Sequence, residues 1–287
     1  MTSELRSGGL IRLRLRSDGG LAWAVSAWAT LCGAVASGTP LTPPDGVRLL
    51  LTLLLVDTGW GTVWGTLATT DWATPLRRWS HWHVGNPPLS LPYVRPGSPG
   101  DHLTRWFSQL WAWGKAVLAP TIGRALGAAA AGLLLSLILA AVLGPSLIAL
   151  TVGALALMQL ALVLDRGRGQ VHAGWDSVLR VGLPWLAGHL AFAPLTLPSA
   201  ALAAAFSVTV AGIGSMNQTR GRTLWAAGQL AAATLFLPLH RPLAVPLLVL
   251  LLVPQLILSA YTDDPHPWIS QTWAWLAAAM LLSAWVL

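Results

Sequence analysis

Two side chains of this sequence, Asp57 and His189, could do chemistry inside an apolar environment. Asp57 ends a long apolar run and is followed by small and polar residues up to Thr66. A carboxylate in such surroundings is costly and often functional. Asp57 therefore either serves a ligand or a proton, or hydrogen-bonds where small residues let another helix approach closely. His189 either ligates a haem iron or a chlorin magnesium, or hydrogen-bonds a neighbouring helix.

A second candidate site is cationic and comes from two separate polar segments. Arg77 and Arg78 lie in the first segment, and Asn217, Arg220 and Arg222 lie in the second. Guanidinium groups without neighbouring acids suit phosphate or anionic lipid headgroups. The simpler alternative is the charge bias that orients membrane proteins.

Metal binding and standard catalytic motifs are weakly represented. His81 and His83 lie near Asp71, with His102 and His172 further along, but this segment has no Cys or Glu to complete a typical site. We therefore predict no metal site. The sequence contains no Ser nucleophile motif and no phosphate-binding Gly loop with Lys. Asp71 is the one candidate for a catalytic residue.

The composition excludes a water-soluble globular protein. Of the 287 residues, 55% are hydrophobic and only 9% are charged, whereas soluble domains have about 25% charged residues. The net charge of +7 comes almost entirely from Arg. Nucleic-acid binding would need a basic face within a soluble surface, which these residues cannot form. The composition predicts an integral membrane protein.

The apolar segments predict an all-α, polytopic helix bundle of about nine spans that forms one membrane domain over residues 1–287. Charged residues, Pro or Gly clusters separate the segments, and Gly144-Pro145 predicts a tight hairpin between the third and fourth. The predicted spans are 21–38, 48–68, 125–143, 146–164, 175–193, 197–214, 223–239, 243–261 and 269–287.

The distribution of Lys and Arg predicts the orientation. Of the 17 such residues, Arg48 and Arg241 fall on one side and Arg180 lies within a span near its cytoplasmic end. The other fourteen fall on the opposite side. Positive residues collect in the cytoplasm, so the N-terminal segment 1–20 is predicted to be cytoplasmic and the protein to lie in the cytoplasmic (inner) membrane. The fourteen are Arg6, Arg12, Arg14, Arg16, Arg77, Arg78, Arg95, Arg105, Lys115, Arg124, Arg166, Arg168, Arg220 and Arg222.

Residues 69–124 form the predicted long cytoplasmic loop. In its second half, apolar side chains recur at helical spacing between Leu103 and Val117, whereas most polar ones fall elsewhere. This pattern predicts an amphipathic helix that lies in the membrane interface or, alternatively, docks a partner. The 17 Trp residues of the chain either anchor at the headgroups or stack on a pigment or quinone ring.

Two loops carry a family-like pattern. The loop after the second span contains Thr70-Asp71-Trp72 and later Arg95-Pro96-Gly97, and the loop after the sixth ends in Gly221-Arg222-Thr223-Leu224. With nine spans and the N-terminus inside, this layout resembles the UbiA superfamily of intramembrane prenyltransferases. The resemblance implies two Asp-rich motifs that bind Mg²⁺ and a prenyl diphosphate at these loops. Here the second loop has Asn217 and Gln218 in place of acids.

Because carboxylates must bridge a hard cation to the diphosphate, loss of these acids predicts loss of the usual chemistry. The expected function is a non-catalytic membrane subunit that docks into a larger complex of membrane proteins, or holds an isoprenoid lipid, quinone or pigment such as a chlorin. The alternative is a divergent, Mg²⁺-dependent prenyltransferase that uses Asp71 with Asp176, Asp263 or Asp264.

Overall fold

The structure, a computed structural model, describes residues 24–40, 42–72, 79, 97–164, 173–215, 219–261 and 265–287. Every regular element in these ranges is helical, so the all-α prediction is confirmed for this part of the chain. We number the helical segments α1 to α9. They are Val25–Ala36 (α1), Pro43–Thr69 (α2), Pro99–Leu143 (α3), Pro145–Leu164 (α4), 173–192 (α5), Leu197–Gly214 (α6), Thr219–Thr234 (α7), Ala244–Tyr261 (α8) and Pro265–Val286 (α9).

Each segment overlaps one of the predicted spans, and four are long and apolar enough to cross a membrane among the described residues. These four are α2, α3, α4 and α6. The chain is therefore a helical membrane protein, whereas nine crossings stay a prediction. α1 has 12 residues and would extend about 18 Å, which is less than the hydrocarbon thickness of about 30 Å.

Proline and a polar capping residue begin three of these helices. Ser98 precedes Pro99, and its hydroxyl accepts the Asp101 backbone N–H at 3.2 Å. Thr42 precedes Pro43 at the start of α2, where its hydroxyl and its backbone N–H donate to the Asp45 carboxylate at 2.6 and 2.9 Å. Thr196 lies two residues before Pro198 of α6, and its hydroxyl accepts the Ser199 backbone N–H at 3.4 Å. Proline suits a first helical turn because its missing N–H would have no intrahelical partner there.

The predicted amphipathic helix and the predicted third span are one helix. α3 runs for 45 residues from Pro99 to Leu143, so the interfacial helix predicted within the loop 69–124 continues without a break into the predicted third span. The helix continues through Gly114, where a wider, π-helical turn begins, Gly114–Leu118. Leu103, Phe107 and Trp111 are exposed, so none of the described residues covers this apolar face. Its place in the membrane interface stays a prediction.

Similar π-helical turns occur in α2 and α5. In the three turns, Gly61 donates its N–H to the Val56 carbonyl, Ala119 to Gly114, and Leu183 to Val178. Each bond spans five residues, where an α-helix would span four. Such turns are frequent at functional sites, and two of them contain Asp57 and Arg180.

Glycines set the closest contacts between helices. A Cβ added at Gly33 of α1 would lie 2.0 Å from the Trp185 carbonyl oxygen of α5, and one at Gly188 would lie 2.0 Å from the Thr30 carbonyl oxygen. The backbones of α1 and α5 therefore touch at this crossing. α6 and α7 approach in the same way, because a Cβ on Gly228 would lie 2.6 Å from the Ala205 carbonyl oxygen.

α5 lies at the centre of the bundle. Its residues Val181 and Trp185 belong to a buried cluster with α1, α6, α7, α8 and α9. Leu183 and Ala187 belong to a second cluster with α2, α3 and α4. The predicted hairpin is present, because Gly144 alone separates α3 from α4 and has a positive φ of 122°.

Candidate functional site

The ends of four helices meet on the side of the bundle that is predicted to be cytoplasmic. Trp64, near the end of α2, donates its indole N–H to Asp176, near the start of α5, at 2.9 Å. The end of α6 lies beside the same start, because a Cβ on Gly214 would lie 2.9 Å from the Ala173 Cβ. α7 begins a few residues after α6. We call this region the charged end, and its described charged residues are Asp71, Asp176, Arg180, Arg220 and Arg222.

An ion pair at the charged end is tied to a neighbouring helix. Asp176 and Arg180 are one turn apart on α5, and the Arg180 Nε donates to the Asp176 Oδ1 at 2.8 Å. The same Oδ1 accepts the Trp64 indole N–H. Trp64 is only 5% exposed, whereas the side chains of Asp176 and Arg180 are 38% and 42% exposed. One carboxylate oxygen thus joins α2 to α5 and orients a guanidinium that faces outward.

The structure brings part of the predicted cationic site to this end. Arg220 and Arg222 are exposed in the first turn of α7, and Asp71 is exposed just after α2. Arg77, Arg78 and Asn217 lie outside the described residues.

Asp57 lies half-buried within the π-helical turn Leu54–Trp60 of α2. Its neighbour Gly59 faces α3, where an added Cβ would lie 2.5 Å from the Ser136 hydroxyl oxygen. The small residues of this segment of α2 let α3 approach closely, as the packing alternative predicts. A ligand or proton role for Asp57 stays a prediction.

His189 is 1% exposed and belongs to a chain of hydrogen bonds between α5 and the start of α6. Its Nε2 lies 3.0 Å from the Pro194 carbonyl oxygen, and its Nδ1 lies 3.0 Å from the Ser199 hydroxyl. The Trp185 indole N–H donates to the same hydroxyl at 3.0 Å.

These partners define the neutral tautomer of His189. A carbonyl only accepts, so Nε2 carries the proton, and Nδ1 accepts from the Ser199 hydroxyl. The Ser199 oxygen in turn accepts from Trp185. Both ring nitrogens are engaged, so neither can bind iron or magnesium in this conformation. The structure shows the hydrogen bonds of the packing alternative, and ligation by His189 stays a prediction.

The described residues do not fit the Mg²⁺ ions that the family resemblance implies. They contain no group of three or more His, Cys, Asp or Glu side chains that could hold a metal. Of the two described acids at the charged end, Asp176 already accepts hydrogen bonds from Trp64 and Arg180. Five further candidates lie outside the described residues: His81, His83, His172, Asp263 and Asp264.

Two polar contacts were not predicted from the sequence. The first joins Trp64 to Asp176. The ion pair beside it, between Asp176 and Arg180, could have been predicted, because the two residues are one turn apart on one helix. The second is a reciprocal amide pair between α7 and α8, in which Gln229 and Gln255 exchange hydrogen bonds at 3.1 and 3.0 Å. Both amides are buried, and glutamine within an apolar helix was the available signal.

Comparisons with protein-family models, with curated proteins and with solved structures found no match to this chain.

Proposed function

We propose that the chain is a non-catalytic integral membrane subunit of the cytoplasmic membrane, with a helix bundle similar to that of the UbiA superfamily. It docks into a larger membrane assembly or holds an isoprenoid lipid, quinone or pigment tail. The observation that carries this proposal is the position of Asp176. The enzymatic alternative would use Asp176 as a metal ligand beside Asp71, but Asp176 hydrogen-bonds Trp64 of α2 and Arg180 of its own helix. A carboxylate so engaged stabilises helix packing and is a poor magnesium ligand.

The outer surface of the bundle supports a role in lipid or subunit contact. Leu243, just before α8, and Leu250 and Ile257 within it are 79%, 64% and 53% exposed and recur every seven residues. On α4, the side chains of Val152 and Val163 are also exposed. Such apolar helix faces are covered in a membrane by acyl chains or by other transmembrane helices.

Purification in mild detergent tests the proposal. We expect the full chain to retain a stoichiometric membrane partner or an isoprenoid lipid, quinone or pigment, detected by native mass spectrometry and solvent extraction. The same membranes without the expressed chain provide the background. A chain that runs alone, with no stoichiometric partner or lipid, would contradict the proposal.

The divergent prenyltransferase is the second candidate, because Asp71 and Asp176 lie at the same end of the bundle. It requires Mg²⁺-dependent turnover of a prenyl diphosphate by membranes that carry the protein, and loss of that turnover in Asp71→Asn. Asp101→Asn, at the start of α3, is the matched control. Turnover that depends on Asp71 but not on Asp101 would replace the non-catalytic proposal with the enzymatic one.

A further inference from the structure

The two described ion pairs that involve Arg use the guanidinium differently. Arg105 donates from Nε and from one terminal nitrogen to both oxygens of Asp101, at 3.1 and 2.8 Å. Arg180 donates only from Nε, to one oxygen of Asp176. Within the described part of the chain, the two terminal nitrogens of Arg180 have no hydrogen-bond partner. Arg180 therefore keeps the pair of donors that binds two oxygens of a planar or tetrahedral anion.

The position of this guanidinium is fixed before any ligand binds. The Asp176 oxygen that holds Nε is itself held by the buried indole of Trp64 on α2. Two helices thus determine where the free donors lie. Binding to a side chain that is already ordered loses less conformational entropy than binding to a mobile surface arginine.

The depth of Arg180 in the bundle indicates what kind of anion it meets. It lies seven residues after Ala173, the first residue of α5, which corresponds to about 10 Å along the helix. A bilayer is roughly 10 to 15 Å thicker than its hydrocarbon core, so the headgroup layer on each side is several ångströms thick. With the start of α5 at the membrane surface, the Arg180 backbone lies deeper than this layer, but its Nε is bound to Asp176, one turn nearer the start of α5. The guanidinium therefore extends back toward the lipid phosphates, as arginines near helix ends do, because the apolar interior would not solvate it.

We propose that the terminal nitrogens of Arg180, oriented by Asp176 and Trp64, bind the phosphate group of a lipid at the charged end. Arg220 and Arg222, exposed at the start of α7, add positive potential to the same region. This inference rests on the proposed function and deepens it, because it gives the lipid-binding bundle a headgroup site for phosphate that uses no metal.

Lipid binding to the purified full-length chain tests the site. The probes are a polyprenyl monophosphate, the same polyprenol without phosphate, and phosphatidic acid, each titrated in one detergent and followed by native mass spectrometry. Inorganic phosphate serves as the competitor. The variants are Arg180→Gln, Arg180→Lys and Trp64→Phe, and the matched control is Arg105→Gln, which removes a charge from an arginine whose Nε and one terminal nitrogen are bound to Asp101.

We expect Arg180→Gln to weaken binding of both phosphate lipids by about tenfold or more, since it removes two charge-assisted hydrogen bonds. Polyprenol binding should not change. Arg180→Lys should fall between the wild type and Arg180→Gln, because lysine keeps the charge without the paired donors. Trp64→Phe should weaken phosphate-lipid binding several-fold, and Arg105→Gln should match the wild type.

Two results would overturn the site: unchanged binding of both phosphate lipids by Arg180→Gln, or an equal loss in Arg105→Gln. Failure of the proposed function gives a different pattern. If phosphatidic acid binds in an Arg180-dependent manner while neither isoprenoid probe binds, the Arg180 site stands and the isoprenoid-holding role fails. If the isoprenoid probes bind equally well to the wild type and to Arg180→Gln, the isoprenoid-holding role stands and the Arg180 site fails.

Discussion

The crossing of α1 and α5 gives the sharpest prediction about stability, through Gly188→Ala. The added Cβ would lie 2.0 Å from the Thr30 carbonyl oxygen, 2.9 Å from the Thr30 carbonyl carbon and 3.0 Å from the Ala34 nitrogen. These are backbone atoms, so no side-chain rotation can relieve the overlap. A carbon and an oxygen pack at about 3.3 Å or more, so the helices must separate locally by roughly 1.3 Å.

The expected destabilisation is about 3 kcal/mol, at the upper end of the range for overpacking. The separation also loosens contacts of the buried residues Ala29 and Cys32 on α1. For a chain of this size, 1 kcal/mol corresponds to a shift in Tm of about 2–3 °C. We therefore expect Tm to fall by about 5–10 °C.

The assay is thermal denaturation of the full chain in one detergent, read as the folded fraction in size-exclusion chromatography. All variants are heated at the same rate, since unfolding of such proteins is often irreversible. Gly153→Ala is the matched control, because Gly153 lies within α4 and an added Cβ there meets nothing within 4 Å. Its Tm should equal or exceed that of the wild type. A Gly188→Ala protein as stable as Gly153→Ala would refute the close crossing of α1 and α5.

Three further predictions concern two buried hydrogen-bonded pairs and one backbone conformation. Gln229→Leu should cost about 1–3 kcal/mol, because it leaves the Gln255 amide partly unpaired, and the double variant Gln229→Leu/Gln255→Leu should be more stable than Gln229→Leu alone. Ser199→Ala and His189→Ala should couple by about 1 kcal/mol in a double-mutant cycle, because the hydroxyl donates to the imidazole. Gly144→Ala should cost about 1–3 kcal/mol, because its φ of 122° is a region that is essentially restricted to glycine.

The same thermal assay measures these three effects. Equal stability of the single and double glutamine variants would contradict the reciprocal amide pair. Additive effects of the Ser199 and His189 variants would contradict their hydrogen bond. A Gly144→Ala protein as stable as Gly153→Ala would contradict the single-residue link between α3 and α4.

The positions of the helices could be predicted from the sequence because an apolar segment in a membrane must satisfy its backbone hydrogen bonds internally. Local chemistry also determined the hairpin at Gly144-Pro145 and the helix in the second half of the long loop. The continuity of α3 could not be predicted in the same way. Gly114 and Pro120 are typical of a helix boundary, and the π-helical turn that retains them within one helix leaves no clear pattern in the residues.

The polar contacts were harder to predict because they depend on which helices become neighbours. Trp64 and Asp176 are 112 positions apart, and their hydrogen bond follows from the packing of α2 against α5. Asp57 and His189 were selected because ionisable residues are rare in apolar segments. That criterion finds buried polar groups, such as the hydrogen-bonded imidazole of His189, but does not separate a ligand site from a hydrogen bond within the bundle.

The π-helical turn Val178–Gly182 determines which neighbours α5 can contact. A turn with one additional residue rotates everything that follows by about 100° relative to an uninterrupted α-helix. Asp176 precedes the turn and contacts α2, whereas Trp185 and His189 follow it and contact Ser199 of α6. Without the additional residue, the second half of α5 would point its imidazole about a quarter of a circle away from that serine. A single inserted residue therefore sets the phase between the two halves of the central helix, and with it which side chains of the second half face Ser199.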